Sequence, residues 1–316
     1  MAGQDQGHRP VMVEEVMMAL SPLPGQLHVD ATLGGGGHAV RILEATTPDG
    51  RLLGLDADQA AIARCAIRLA PFGERVVLRQ ANFEQLAEVA ADLGHDAVDG
   101  ILFDLGLSSF QLADDERGFS FRSSGPLDLR FDARHGRPAS DLLATSDERE
   151  LTRILRDYGE EPHARRIAKA IVDERQRSPI DTAAQLAALV ERVVPAPRGR
   201  RRTHPATRTF QALRIAVNRE LEVLPRALAA ALELLRPGGR LVVLAYHSLE
   251  DRIVKRFVAA ERRGCICPPA VPVCVCGRAP RLRPIGPTPG FPADSEITAN
   301  PRARSARLRA AERLAA

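Results

Sequence analysis

The residues best placed to do chemistry in this 316-residue sequence begin at Asp30-Ala31-Thr32-Leu33-Gly34-Gly35-Gly36-Gly37-His38-Ala39. Consecutive glycines after an apolar stretch let the backbone turn sharply, approach a ligand closely and aim amide groups at it. Gly34, Gly36 and Ala39 satisfy the spacing of the dinucleotide fingerprint, and Asp56 stands about where an acid receives a ribose. Enzymes of nicotinamide and of S-adenosylmethionine both place an acid there, so the pattern alone does not choose between them. A plain structural glycine turn is the third reading.

A second concentration is Asp104-Leu105-Gly106-Leu107-Ser108-Ser109-Phe110-Gln111, followed by Glu116-Arg117-Gly118-Phe119-Ser120-Phe121 and Gly125-Pro126-Leu127-Asp128. A carboxylate with hydroxyls close behind can grip a cofactor or accept the N–H bonds of an amine. His204 and His247 suit either a general base or a hydrogen-bonded structural histidine beside a helix cap. Four of the five cysteines form two Cys-x-Cys pairs, Cys265 and Cys267, then Cys274 and Cys276, around a Pro-rich turn. Four thiolates suit one structural zinc, although the commoner zinc spacing has two intervening residues. Free thiols and disulfides are the rivals, and a cytoplasmic protein keeps disulfides reduced. Cys65 stands alone on a helical segment and reads as packing.

Charge points elsewhere. The formal net charge is only +4, yet residues 198–214 hold Arg198, Arg200, Arg201, Arg202, Arg208 and Arg214 and no acid. The guanidinium fork matches phosphate, so local clustering without acids is the footprint of nucleic-acid binding. The competing explanation is compositional: Lys169 and Lys255 are the only lysines, so arginine replaces lysine throughout.

These residues need elements to hold them. Residues 27–29, 51–55, 75–78 and 100–103 read as short apolar strands, three of them ending at Asp30, Asp56 and Asp104. A helical pattern such as residues 60–69 separates most of them, which predicts an α/β fold with a parallel sheet covered on both faces. From about residue 111 to 212 only helices and loops are predicted, with Pro162 opening one helix and Asp181 capping another over residues 182–194. One long helix over residues 210–235, a last core strand over residues 240–245 and a helix capped by Ser248 follow. Beyond Pro268 the chain, rich in Pro, Gly and Arg, is expected to be irregular. A sheet interrupted by a helical insertion gives a discontinuous domain, residues 1–112 and 213–316, with an inserted domain over residues 113–212. No run of about 18 apolar residues and no signal-peptide stretch is present, so a cytoplasmic enzyme is expected.

The motifs together resemble the bacterial small-subunit rRNA methyltransferase H family. The most specific are the run over residues 104–128, His204-Pro205-Ala206-Thr207-Arg208-Thr209-Phe210-Gln211-Ala212-Leu213-Arg214, and His247-Ser248-Leu249-Glu250-Asp251-Arg252. The resemblance extends from His8-Arg9-Pro10-Val11-Met12 to Asn300-Pro301-Arg302-Ala303-Arg304-Ser305. It implies a Rossmann-like methyltransferase that uses S-adenosylmethionine to methylate the exocyclic N4 of a cytosine in 16S rRNA at the decoding site. It also implies cofactor contacts from Gly36, Gly37 and His38, a ribose contact from Asp56, and an adenine contact from Phe83, which otherwise reads as a core aromatic. Asp104 and Gln111 would complete that pocket. Asp104 and Ser108 are the candidates to accept the N–H bonds of the amine, and Arg200, Arg201, Arg202 and Arg208 to hold RNA. Ala39, Phe110 and Tyr246 depart from the serine, proline and phenylalanine usual in the family. Phe110 suits either stacking on a base or packing. A nicotinamide oxidoreductase and a non-catalytic RNA-binding assembly factor are the rival functions.

Overall fold

The computed structural model describes residues 10–195, 204–268 and 273–315. The chain forms two compact units, one of residues 1–106 with 221–316 and the other of residues 107–220. Among the described residues no helix is long and apolar enough to cross a membrane.

The first unit opens with α1 (Val13–Leu20) and then alternates β1 (Leu27–Asp30), α2 (Gly37–Ala45), β2 (Arg51–Asp56), α3 (Gln59–Leu69), β3 (Val76–Gln80), α4 (Leu86–Asp92) and β4 (Val98–Asp104). These strands are apolar in both alternating sets because both faces are covered. Leu53, Leu55, Ile101 and Phe103 meet Leu86 and Ala90 of α4 on one face. Leu52 and Leu102 meet Val16, Ile42, Leu43 and Leu69 of α1 to α3 on the other.

The second unit runs through α5 (Ser109–Ala113), α6 (Ala139–Thr145), α7 (Glu148–Gly159), α8 (Ala164–Arg175), α9 (Ala183–Val193) and α10 (Thr207–Asn218). Its core gathers Leu127, Leu143, Leu151, Leu155, Ile167, Ile171, Leu186 and Leu213, at helical spacing along each element. Thr182, not Asp181, caps α9: its side chain accepts from the Gln185 amide, and the Gln185 side chain accepts from the Thr182 amide. The expected boundaries at residues 112 and 212 compare with observed ones at residues 106 and 220.

The expected long helix over residues 210–235 is two helices. Arg219 takes a left-handed conformation (φ 54°) and ends α10, and α11 (Glu220–Leu234) starts at once. The chain re-enters the first unit with α11 and continues through β5 (Leu235–Ala245) and α12 (Ser248–Arg262). His247, not Ser248, caps α12, through reciprocal bonds with Glu250. The tail holds two strands where irregular chain was expected, β6 (Leu282–Gly290) and β7 (Arg307–Arg313), with α13 (Asp294–Ala299) between them. β7 pairs antiparallel with β5 and β6, burying Leu308, Ala310 and Ala311. Local signals are weak there because prolines interrupt β6 and the partner of β7 lies far away in sequence.

The finished sheet has the order β3-β2-β1-β4-β5-β7-β6, parallel through β5. From β1 the chain moves first to one side, into β2, and later to the other, into β4. In an open α/β sheet that switch point leaves a crevice at the carboxyl ends of the strands, where ligands bind.

Candidate active site

Three strands deliver a carboxylate to that crevice: Asp30 from β1, Asp56 from β2 and Asp104 from β4. Between β1 and α2 lies the glycine turn. Gly36 is left-handed at φ 73° and precedes α2, whose N-terminus has no side-chain cap among the described residues. Gly37 is required for a different reason, since a Cβ there would stand 2.7 Å from Pro10 Cγ. The turn is braced by Asp56: its Oδ2 accepts from the Gly34 amide at 2.8 Å and its Oδ1 from the Asp58 amide at 2.8 Å. Beneath it Cys65 is fully buried, and burial pushes its thiol up to about 12, so it is an inert packing thiol.

Asp104 is held from three sides. Its amide donates to Thr32 Oγ1 at 2.6 Å, its Oδ1 accepts from the Tyr246 hydroxyl at 2.7 Å, and its Oδ2 faces His38 Nδ1 at 3.5 Å. His38 Nε2 lies 3.0 Å from the Val11 carbonyl, which can only accept, so Nε2 carries a proton. Attraction between Nδ1 and Asp104 then requires a further proton on one of the two. Burial raises the Asp104 carboxyl, while the His38 charge and the Tyr246 hydrogen bond hold it down. Tyr246 itself is pushed well above its usual range, mainly by burial, and stays a donor.

Asp30 and Asp56 titrate unusually too. Burial raises Asp30 to about 7, opposed by its bond from the Thr32 amide and reinforced by the charges of Asp104 and Asp56. Burial raises Asp56 to about 6, opposed by its two amide donors. Both groups bind a proton more tightly in the folded chain than in the unfolded one. Their stabilising contribution is therefore complete below about pH 4 and is lost as pH rises through about 6 to 7. Melting temperature is expected to fall from pH 5 to about pH 8, and Asp30→Asn should flatten the fall and exceed the wild type at the upper end. Parallel melting curves of the two proteins would show that Asp30 does not titrate in that window.

The other expected site residues fall as follows. Phe83, just after β3, packs edge-to-face with Phe103, ring centroids 5.8 Å apart, and is partly buried against the core. Ser108 and Gln111 begin the second unit and cap each other: Ser108 Oγ accepts from the Gln111 amide and Gln111 Oε1 from the Ser108 amide. Arg208 is exposed and donates to the Glu160 carbonyl at 2.9 Å. Arg198, Arg200, Arg201 and Arg202 lie outside the described residues. Cys265, Cys267, Cys274 and Cys276 come together in the first unit, their sulfurs within 4.8 Å of one another. Both histidines have structural work: His247 Nδ1 accepts from the Glu250 amide, while His204 stacks on Phe121 and pairs with Glu191 at 2.8 Å.

Sequence reasoning missed Asp30 and Tyr246 as parts of the crevice. Tyr246 carried a signal, as a tyrosine where its resembling family has phenylalanine. Asp30 carried one as well, as the third strand-terminal acid.

The profile of the MraW methylase family matches residues 5–314 of the chain. Ribosomal RNA small subunit methyltransferase H of Thermomicrobium roseum is 56% identical over 308 residues, 98% of this chain and 94% of that protein. The protein of the same name from Geotalea uraniireducens is 53% identical over 307 residues, 97% of this chain and 98% of its own.

Proposed function

Because the chain belongs to the MraW methylase family, we propose that it is an S-adenosylmethionine-dependent methyltransferase acting on the exocyclic N4 of a cytidine in the decoding region of 16S rRNA. Its substrate would be the small ribosomal subunit or its RNA, in the cytoplasm. The single observation that carries the cofactor choice is the convergence of Asp30, Asp56 and Asp104 on one crevice, where the charges of Asp104 and Asp56 help raise Asp30. Such a cluster repels the pyrophosphate of a nicotinamide dinucleotide and favours a cation. S-adenosylmethionine is a sulfonium bearing an ammonium group, and when bound it supplies a methyl group for displacement by a nucleophile. The amides of Gly37 and His38 at the start of α2 suit its carboxylate, while Gly36, whose amide donates to the Leu33 carbonyl at 2.7 Å, shapes the turn.

The remaining roles follow from what each side chain can still offer. Asp56 keeps lone pairs beyond those used by Gly34 and Asp58, and these suit ribose hydroxyls. Phe83 offers a ring face to the adenine. The mutual cap occupies an acceptor of Ser108 and of Gln111, so these two would meet cofactor or substrate through their hydroxyl and amide N–H donors. Asp104 is therefore the better acceptor for the N–H bonds of the cytosine amine, whose lone pair is delocalised into the ring and needs both alignment and electron density. Calorimetry is expected to show binding of S-adenosylmethionine and none of NADH. In rRNA from a deletion strain, mass spectrometry should find one cytidine lacking a methyl group. NADH binding without S-adenosylmethionine binding, or unchanged rRNA, would overturn the reading.

The helical unit and the basic stretch of residues 198–208 are assigned to RNA recognition. Replacing Arg200, Arg201 and Arg202 together by alanine is expected to flatten the salt dependence of RNA binding, by about 0.7–0.9 in log–log slope for each phosphate that is no longer neutralised, with cofactor affinity intact. An unchanged slope would reduce these arginines to surface charge.

A further inference from the structure

The four clustered cysteines have no part in the chemistry above. Their sulfurs all lie within 4.8 Å of one another. Cys274 and Cys276 are 3.5 Å apart, and Cys276 and Cys265 are 3.9 Å apart. Four thiolates around one tetrahedral zinc, with bonds of about 2.3 Å, stand about 3.8 Å from each other, so these two separations match two edges of a zinc-sized tetrahedron and the others lie within 4.8 Å. Backbone donors face the same sulfurs. The Cys267 amide lies 3.4 Å from Cys265 Sγ, the Val275 amide 3.4 Å from Cys267 Sγ, and the Ile266 amide 3.5 Å from Cys276 Sγ. The last two bonds cross between the two Cys-x-Cys turns, so each turn supplies a donor to a sulfur of the other. Donors placed around sulfur stabilise the thiolate form that a metal requires.

Burial does not explain the convergence. Ile266, Val273 and Val275 are 56%, 71% and 81% exposed, and Cys265, Cys274 and Cys276 are exposed as well. A segment with so little apolar area out of water gains nothing by gathering four thiols, whereas one ion bonded to all four organises it. The segment is anchored at both ends of the cluster. α12 leads into it, and behind it Arg278 donates to the Ala260 carbonyl at 2.8 Å and Arg281 pairs with Glu261 at 2.8 Å.

We propose that Cys265, Cys267, Cys274 and Cys276 bind one zinc ion in a closed structural site that fixes the chain between α12 and β6. Four protein sulfurs fill the tetrahedron and leave no position for water or substrate, so the ion has no catalytic role. Binding is a ligand exchange without redox change: each thiol that ionises releases its proton to solvent as its zinc–sulfur bond forms.

Protein purified without chelator is expected to contain about one zinc per chain by elemental analysis. The Cys274→Ser, Cys276→Ser double variant should lose it, and Cys65→Ser should keep it. A measurement on the unaltered chain separates metal loss from misfolding. Stripped with chelator and refilled with cobalt(II), it should show the visible bands of tetrahedral cobalt and intense sulfur-to-cobalt charge transfer. Native protein should present no rapidly titrating thiol in this segment, and stripped protein four. Iron in place of zinc, a disulfide among these cysteines, or metal-free protein with four freely titrating thiols would overturn the assignment.

Discussion

Asp104→Ala is expected to lower methyl transfer by about 10²–10³-fold, the usual loss when one preorganised electrostatic partner of a transition state is removed. With S-adenosylmethionine saturating, the proposed reaction predicts an equal loss in kcat and kcat/KM for RNA, because N–H acceptance strengthens only as positive charge develops on an attacking nitrogen. Asp104 is suited to that task by being immobile. Thr32 holds its amide, Tyr246 donates to one carboxylate oxygen and His38 faces the other. The same contacts predict a pH effect. Tyr246 donates to the charged form and lowers the Asp104 pKa, so Tyr246→Phe should raise it and move the acidic limb of the rate profile to higher pH. Initial rates of methyl incorporation into small subunits across pH provide both readouts. Activity of Asp104→Ala within about tenfold of wild type would place the amine's acceptor on another residue.

The second large effect is on stability. Arg214→Ala is expected to destabilise the chain by about 3–5 kcal/mol, a large share of the roughly 5–15 kcal/mol that holds a typical domain folded. Arg214 grips Glu220 with two parallel hydrogen bonds of 2.8 and 2.9 Å, and both residues are buried. Truncating the arginine removes both of these bonds from a buried carboxylate, which costs more than the intact pair contributes. Urea unfolding of wild type, Arg214→Ala and the exposed control Arg208→Ala tests this, with the control expected within about 1 kcal/mol. A loss below about 1 kcal/mol for Arg214→Ala would mean that Glu220 finds water or another donor. Arg214 belonged to the basic stretch read as a phosphate-binding footprint, but its guanidinium is committed to Glu220 and takes no part in that charge.

Two of the motifs that made the family recognisable thus have structural explanations. The His204–Arg214 motif ends in one buried ion pair. The His247–Arg252 motif supplies the cap of α12 and the buried pair of Asp251 with Arg309, at 2.7 and 3.1 Å. The run from Glu116 to Asp128 is likewise fixed by bonds to residues around it. Ser123 donates to the Asp115 carbonyl, the Leu127 amide to the Asp181 carbonyl, and Asp128 takes one bond from the Arg130 amide and two from its guanidinium.

By itself, the sequence determined the early strands, the turn and the acids that end them. Each of those signals is local: apolar residues in short runs, glycines in a row, and an aspartate where a strand must stop at the ligand edge of a parallel sheet. The helical character of the middle of the chain was legible for the same reason, since a helix records its buried face within a few turns of sequence. Tertiary structure alone decided what meets across long separations. Tyr246 reaches Asp104 across 142 residues, and β7 finds β5 although little in its own sequence marks it as a strand. Arg219 splits one apparent helix through a single left-handed residue. The shifted carboxyls of Asp30 and Asp56 arise mainly from burial, with the charges of Asp104 and Asp56 adding to the Asp30 shift, and both depend on how neighbouring strands place them. A residue's partner and its solvent exposure are properties of the packed sheet, and no local pattern of side chains encodes them.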